Sequence, residues 1–165
     1  MPYSTLVGTF AAIALTAWQT TASGAPADLC SLLAPADFQK AGVTGAKPPT
    51  VNPDEQGAYC VYAGKSAATG GVEFDVFVTK SDADAKDVYK TMLGEMSPAS
   101  RVKNALPGAD ESELAKVAKP SAFTTITARK GKLAFAIGVP ATPTSQDAVV
   151  SLARLVLQRA EKLTR

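Results

Sequence analysis

Residues 72–79 read Val-Glu-Phe-Asp-Val-Phe-Val-Thr, and this alternation predicts a β-strand with two unlike faces. One face carries Val72, Phe74, Val76 and Val78, and the other, which we call the outer face, carries Glu73, Asp75, Phe77 and Thr79. We expect Phe74 in the core, because three valines share its face. Phe77 shares its face with two acids, so we expect it to be mostly exposed or to line a groove.

A helix is predicted directly after this strand. Ser81 can cap it, and Asp82 and Asp84 suit its first turn because the amino end of a helix attracts negative charge. The apolar positions expected to be buried are Ala85, Val88, Met92 and Met96, or their neighbours. Residues 101–106 can then form a short strand, and residues 107–111 form a turn.

The segments on either side carry further helix and strand signals. Residues 28–41 favour one or two short helices, residues 44–57 a loop rich in Pro, Gly, Asn and Asp, and residues 59–63 a strand. Residues 122–129 and 133–139 predict two strands joined by a tight hairpin. In the second of these strands Leu133, Phe135, Ile137 and Val139 alternate with Ala134, Ala136 and Gly138. A final helix beginning near Thr144 has apolar residues at helical spacing, namely Val149, Leu152, Ala153, Val156, Ala160 and Leu163.

These segments predict an α+β fold in which an antiparallel sheet has its helices packed on one face. The expected element order is α-β-β-α-(β)-β-β-α, with two strand–strand–helix units after a short amino-terminal helix. The length of the chain suits one such domain with a substantial core.

The first 24 residues resemble a secretory signal peptide. They contain no charged side chain, and residues 6–18 are an apolar run followed by small residues. A run of about 13 residues is too short to cross a bilayer, which needs roughly 20. Cleavage is expected after Gly24, or alternatively after Ala22, and a buried amino-terminal helix is the other interpretation. We therefore expect residues 25–165 to form a single secreted or periplasmic domain with no transmembrane span.

The chain has two cysteines, Cys30 and Cys60, and in an exported protein this predicts one disulfide. Two free buried thiols are the alternative. The wide spacing excludes a Cys-x-x-Cys redox pair, and the lack of other ligands excludes a zinc site. Residues 27–29 do not form the pattern that precedes an acylated cysteine, so a lipid anchor at Cys30 is not expected.

The carboxyl-terminal third is basic. Residues 1–113 hold 8 Lys and Arg against 13 Asp and Glu, whereas residues 114–165 hold 9 against 2. This region either binds an anionic partner or pairs with acidic residues of the same fold. Nucleic acid is not expected as a partner, because no aromatic residues alternate with the basic residues at 129–132, and because the chain is expected to be exported.

The sequence contains no histidine, which excludes Ser-His-Asp and Cys-His nucleophile pairs and His-ligated zinc. We expect no catalytic residues, no metal site and no cofactor. The one carboxylate pair with suitable spacing is Glu73 and Asp75, which lie roughly 7 Å apart on one strand face, within the range of glycosidase pairs. A solvated strand face accounts for the same two residues.

Several short motifs, taken in order, resemble a group of bacterial exported proteins and lipoproteins. The motifs are Cys-Ser-Leu-Leu at 30–33, Tyr-Cys-Val-Tyr at 59–62, Pro-Gly-Ala-Asp-Glu at 107–111 and Arg-Lys-Gly-Lys-Leu-Ala-Phe at 129–135. The group has a Cys-Ser-Leu-Leu opening, a Cys-x-Tyr strand, a Pro-Gly-x-Gly-Asp turn and a final helix. Here Ala109 and Asp110 replace the Gly-Asp step. The resemblance implies export and a similar fold, and it implies no particular activity.

The outer face is the predicted functional surface. Its candidate ligand-binding or partner-binding residues are Glu73, Asp75, Phe77, Thr125, Thr127 and Arg129. Small residues on the neighbouring strand, such as Ala134 and Ala136, would allow close approach. The resulting hypothesis is an exported non-enzymatic binding or sensing module for a small molecule, an envelope component or a protein. The alternatives are a structural or inhibitory protein-interaction domain and a carboxylate-based hydrolase, and an open face in water is the plain interpretation.

Processing can be tested through Trp18, the single tryptophan, which precedes both proposed cleavage sites. Mature protein is expected to show tyrosine fluorescence without tryptophan emission. Tryptophan emission from protein recovered outside the cytoplasm would refute cleavage.

Overall fold

Seven strands form one antiparallel sheet in the part of the chain that the computed structural model describes, namely residues 29–47, 49–53, 57–62, 71–96, 100–117 and 122–163. The strands are β1 (Thr50–Pro53), β2 (Gly57–Tyr62), β3 (Val72–Val78), β4 (Ser100–Lys103), β5 (Glu111–Val117), β6 (Phe123–Lys130) and β7 (Leu133–Pro140). The helices are a 3-10 turn (Cys30–Leu32), α1 (Pro35–Lys40), α2 (Asp82–Gly94) and α3 (Ser145–Leu163). The predicted signal peptide lies outside the described residues.

The spatial order β1-β2-β3-β7-β6-β5-β4 consists of two meanders joined at the pair β3 and β7. The α+β class and the antiparallel sheet are therefore confirmed. Two strands were not predicted: β1 lies in the predicted loop 44–57, and β5 begins at the last residue of the predicted turn and continues where no element was expected. The first is β1, an edge strand, where a residue such as Pro53 is tolerated. The second is β5, whose Glu111 and Glu113 have basic partners on the neighbouring strands.

One face of the sheet, which we call the core face, packs against the 3-10 turn, α1 and α3. Phe74 is completely buried there, as predicted, and its cross-strand neighbours are Cys60 and Ile137. The predicted apolar stripe of α3 is buried on the same face, including Val149, Leu152, Ala153, Val156 and Ala160. The alternation in the sequence is therefore sufficient to identify this core.

The 3-10 turn is fixed to the sheet by a covalent bond and by hydrogen bonds. The predicted disulfide joins Cys30 to Cys60, with their Cα atoms 5.8 Å apart. Beside it, the hydroxyl of Tyr62 lies 2.7 Å from the carbonyl oxygens of both Cys30 and Leu33, and it donates to them. Closing a loop of this length stabilises the fold by roughly 3.5–4 kcal/mol in the chain-entropy description.

A partly buried ion pair joins α1 to α3. The guanidinium of Arg159 donates to both carboxylate oxygens of Asp37, at 2.6 and 2.9 Å, and also to the carbonyl of Leu32 at 2.7 Å. The same carboxylate accepts from the backbone N–H of Ala34 at the start of α1. The hydrogen bond from Arg159 holds the pKa of Asp37 below its ordinary value.

Helix α2 lies on the outer face, so the prediction that all helices pack on one face is wrong. It packs against β6, β7 and β3, and it buries Ala134, which points away from the core face. Arg101 holds its carboxyl end by donating to the carbonyls of Leu93 and Met96 and to the carboxylate of Glu113. The outer face needs a helix because residues 133–139 of β7 have no polar side chain on either face, and both faces of this strand must therefore be covered.

Three of the seven basic residues described in the carboxyl-terminal third pair with acids of the same fold. Arg129 donates to Glu111 at 2.8 Å and to Asp110 at 3.4 Å. Lys130 donates to Glu161 at 2.7 Å, and Arg159 binds Asp37 as described. These pairs favour internal charge compensation over a dedicated anion-binding patch. Among the described residues, no helix combines the length and apolar character needed to span a bilayer.

The Asp37–Arg159 pair can be tested with Asp37→Asn. This variant is expected to lose about 1–3 kcal/mol of unfolding free energy at pH 7, because Arg159 keeps its charge and loses its counter-ion. Since the pKa of Asp37 is lowered in the folded state, its contribution is present above the ordinary value of 3.8 and is lost as the pH falls below it. Urea unfolding at pH 7 and pH 3 measures this. An equal loss in the exposed control Asp147→Asn would contradict the assignment.

Candidate functional site

A groove on the outer face lies between α2 and β3. Its volume is about 460 Å³, and we call it the α2–β3 groove. It is lined by Asp75, Phe77, Asp87, Val88, Thr91, Met92 and Glu95. The two lining residues on β3 were predicted as site residues from the sequence, whereas the four on α2 and Glu95, which follows the helix, were not.

Phe77 forms part of the groove wall because both of its cross-strand neighbours are small. It lies opposite Gly57 on β2 and Ala134 on β7. A Cβ atom at Gly57 would collide with the Phe77 ring and with the carbonyl of Val76. Gly57 therefore makes room for the ring beside the sheet, and Phe77 is half-buried rather than core.

Asp75 is the carboxyl group most removed from water in the groove. Burial, with smaller contributions from the charges of Glu73 and Glu95, raises the pKa of Asp75 from 3.8 to about 7. Its neighbour on β2, Tyr59, has its pKa raised to about 12, by burial first and then by Glu73 and Asp75. Near neutral pH the Asp75 carboxyl therefore exchanges a proton readily.

Helix α2 presents one side to the groove. Asp87, Thr91 and Glu95 are spaced four apart and so lie in one row, and Val88 and Met92 form the adjacent row. The hydroxyl of Thr91 donates to the carbonyl of Asp87 at 3.0 Å. The Ser81 side chain caps the helix, as predicted, by accepting from the N–H of Asp84. Arg101 fixes the opposite end, so the rows are held in register with β3.

The strand register places all six predicted site residues on the outer face. The cross-strand rows are Glu73–Gly138–Thr125, Asp75–Ala136–Thr127 and Phe77–Ala134–Arg129. Of the six, only Asp75 and Phe77 line the groove. Glu73 is exposed beside the groove on β3. Thr127 is completely buried, and the side chain of Arg129 is 14% exposed and paired with Glu111. Thr125 is half-buried beside Gly138. Helix α2 thus separates Thr127 and Arg129 from the groove.

The small residues of β7 were predicted to let a ligand or partner approach closely, but α2 packs against this strand instead. Ala134 is completely buried beneath α2. The hydroxyl of Thr127 is also buried on this face, and it has no hydrogen-bond partner among the described atoms. The sequence feature that indicates a helix on this face is the run at 133–139, in which large and small apolar residues alternate and no residue is polar.

A second cavity of about 390 Å³ lies at the hairpin between β6 and β7. It is lined by Asp82, Lys130, Gly131, Lys132, Leu133, Leu157, Ala160 and Glu161. The Lys130–Glu161 ion pair joins two of these lining residues, at 2.7 Å. The charges of Lys130 and Glu161 are therefore already paired with each other.

Comparison with known proteins adds no constraint on function: the chain matches no family model and no curated protein. The resemblance to bacterial exported proteins therefore stays a prediction. Within the described residues, no three His, Cys, Asp or Glu side chains are grouped in a way that could hold a metal ion.

The titration of Asp75 gives a test of the groove's electrostatics. Because its folded pKa is about 7 and its ordinary value is 3.8, the native state keeps a proton that the unfolded chain loses. The free energy of unfolding should therefore fall as the pH rises through this interval and level off above it. Asp75→Asn, which cannot ionise, should be more stable than the wild type at pH 8 by about 1–3 kcal/mol, with no difference near pH 4.

Thermal and urea unfolding across pH 4–8 measure this difference, and the carboxyl carbon shift of Asp75 reports the pKa directly. Asp84→Asn, on the exposed first turn of α2, is the control. The same pH-dependent gain in that variant would show that the effect does not arise in the groove.

Proposed function

We propose that the chain is an exported, non-enzymatic binding module whose binding site is the α2–β3 groove. The observation that carries the proposal is the groove itself, with about 460 Å³ between a strand and a fixed helix. Small-molecule sites typically have about 300–1,000 Å³ and combine apolar walls with a few polar groups. Phe77, Val88 and Met92 supply the apolar walls, and Asp75 and Glu95 supply polar groups.

A concave site fits the described surface better than a flat protein-binding patch. Two large apolar side chains are notably exposed there, Val78 at 37% and Val102 at 54%. Val78 lies on the same strand face as Phe74, and it is exposed because it is the last residue of β3. Three strands separate β3 from β4, so the two valines are roughly 19 Å apart and form no common patch.

Export is supported by the amino-terminal sequence and by the disulfide. The Cys30–Cys60 bond is typical of oxidising compartments, because cytosolic thiols are kept reduced. It also ties the first described residues of the domain to β2, and a secreted or periplasmic location follows from this proposal.

A second candidate function, hydrolysis by two carboxyl groups, is favoured by one observation. Asp75 holds its proton up to about pH 7, as a general acid requires, and Glu73 lies exposed on the same face of β3. Hydrolysis of a panel of aryl glycosides that is lost in both Asp75→Asn and Glu73→Gln would favour this function over binding alone.

Binding is tested by purifying the protein from the envelope or medium of the cells that export it and recording native mass spectra. We expect a bound mass in the wild type that is lost in Phe77→Ala. Phe123→Ala is the matched control, because Phe123 is a half-buried ring on the same sheet face outside the groove. A mass retained equally by both variants, or no bound mass in the wild type, counts against the proposal.

The two phenylalanines of β3 provide the stability control for that experiment. Phe74→Ala should cost about 3–5 kcal/mol because its ring is completely buried in the core. Phe77→Ala should cost only about 1–2 kcal/mol, because its ring is only partly buried and lies against the groove rather than in the core. Thermal unfolding of both variants checks this, and equal losses would mean that the effect of Phe77→Ala on binding is indirect.

A further inference from the structure

We propose that the α2–β3 groove binds a small organic cation, an ammonium or guanidinium group attached to an apolar body, with Asp75 as its counter-ion. This inference rests on the function proposed above and specifies the chemical class of the ligand. It is based on the charges and apolar walls of the groove.

The described lining of the groove is acidic and contains no basic residue. Asp75, Asp87 and Glu95 contribute three carboxyl groups, and Glu73, two positions from Asp75 on the same face of β3, adds a fourth beside the groove. Asp87 is paired with Lys90 at 3.5 Å on the solvent side of α2. Within the part of the chain that the structure describes, no ion pair joins Asp75 or Glu95 to a Lys or Arg. A cationic ligand would supply the missing charge.

On the rest of the outer face, in contrast to the groove, acidic side chains do have basic partners. Beyond α2, Arg101 pairs with Glu113, Arg129 with Glu111 and Asp110, and Lys86 lies 4.0 Å from Glu111. Acids on that side have basic partners in the chain itself. The contrast between the two sides of one helix gives the groove its preference for positive charge.

The apolar walls determine what the cation must be attached to. Phe77, Val88 and Met92 offer a ring, a branched side chain and a thioether against which a hydrocarbon body can pack. The face of an aromatic ring also attracts a nearby cation. A bare metal ion would leave these apolar walls unused, and it would lack the grouped ligands that such an ion needs.

Burial of Asp75 makes binding dependent on pH. The groups that face it are Glu73 on its own strand, Tyr59 on β2 and Glu95 and Asp87 on α2, while β7 contributes the uncharged Ala136. A cation binds the carboxylate form, so affinity should fall as Asp75 takes up its proton below about pH 7. Primary amines stay charged throughout this range, because their pKa lies near that of lysine, about 10.4.

The test uses three probes of similar shape, 2-phenylethylammonium, 2-phenylethanol and 3-phenylpropionate, titrated into isotope-labelled full domain by NMR. At pH 8 the ammonium probe should bind with a Kd of about 1 mM or tighter, a reasonable affinity for so small a molecule, and shift the signals of the groove residues. Its affinity should drop tenfold or more at pH 5.5. Asp75→Asn should lose tenfold or more at pH 8 and show no pH dependence, while the exposed control Asp84→Asn should match the wild type.

The possible outcomes separate this inference from the proposed function. If the alcohol or the carboxylate binds in the groove as tightly as the ammonium, the cation assignment fails and the groove remains a binding site. If the ammonium binds but Asp75→Asn keeps both its affinity and its pH dependence, Asp75 is not the counter-ion and the inference is wrong. If none of the three probes shifts groove signals, the cation assignment fails, and the proposed binding function is decided by the native mass spectra alone.

Discussion

The pairing of β3 with β7 is the contact on which the rest of the structure depends. It joins a meander of three strands, β1 to β3, to a meander of four, β4 to β7. Strand β7 therefore has one neighbour, β6, from its own meander and one, β3, from the other. The same pairing sets Phe74 beside Ile137 on the core face and Phe77 beside Ala134 on the outer face. A register slip of one residue would exchange these faces and remove both the core and the groove.

Much of the core could be predicted from the sequence, because one property decided each element. Alternation identified β3, helical spacing identified α3, and two cysteines in a chain predicted to be exported identified the disulfide. The position of α2 could not be predicted in this way, because its apolar stripe is narrow and fits either face of the sheet. The decisive information was in another element: β7 has no polar face, so it requires cover on both sides.

Only the strand residues of the candidate site were predicted, because the position of α2 could not be derived from its own sequence. Asp75 and Phe77 were identified because their orientation follows from strand alternation alone. Val88, Met92 and Glu95 were missed because they reach the groove only when α2 crosses the outer face. Thr127 and Arg129 have the predicted orientation, yet that crossing buries one and leaves the other in an ion pair with Glu111. Orientation within a sheet is a local property, whereas access to solvent depends on the whole chain.

The Asp37–Arg159 pair has a consequence for how the chain folds. The two residues are 122 positions apart, and β3 is separated from β7 by α2 and three strands. Contacts of such long range form late and make folding slow, because a large loop must be closed before they stabilise anything. During synthesis, α1 must wait for the last helix before the Asp37 carboxylate gains its counter-ion. Until then the disulfide, which closes a much shorter loop, is the bond that can hold the turn against the sheet.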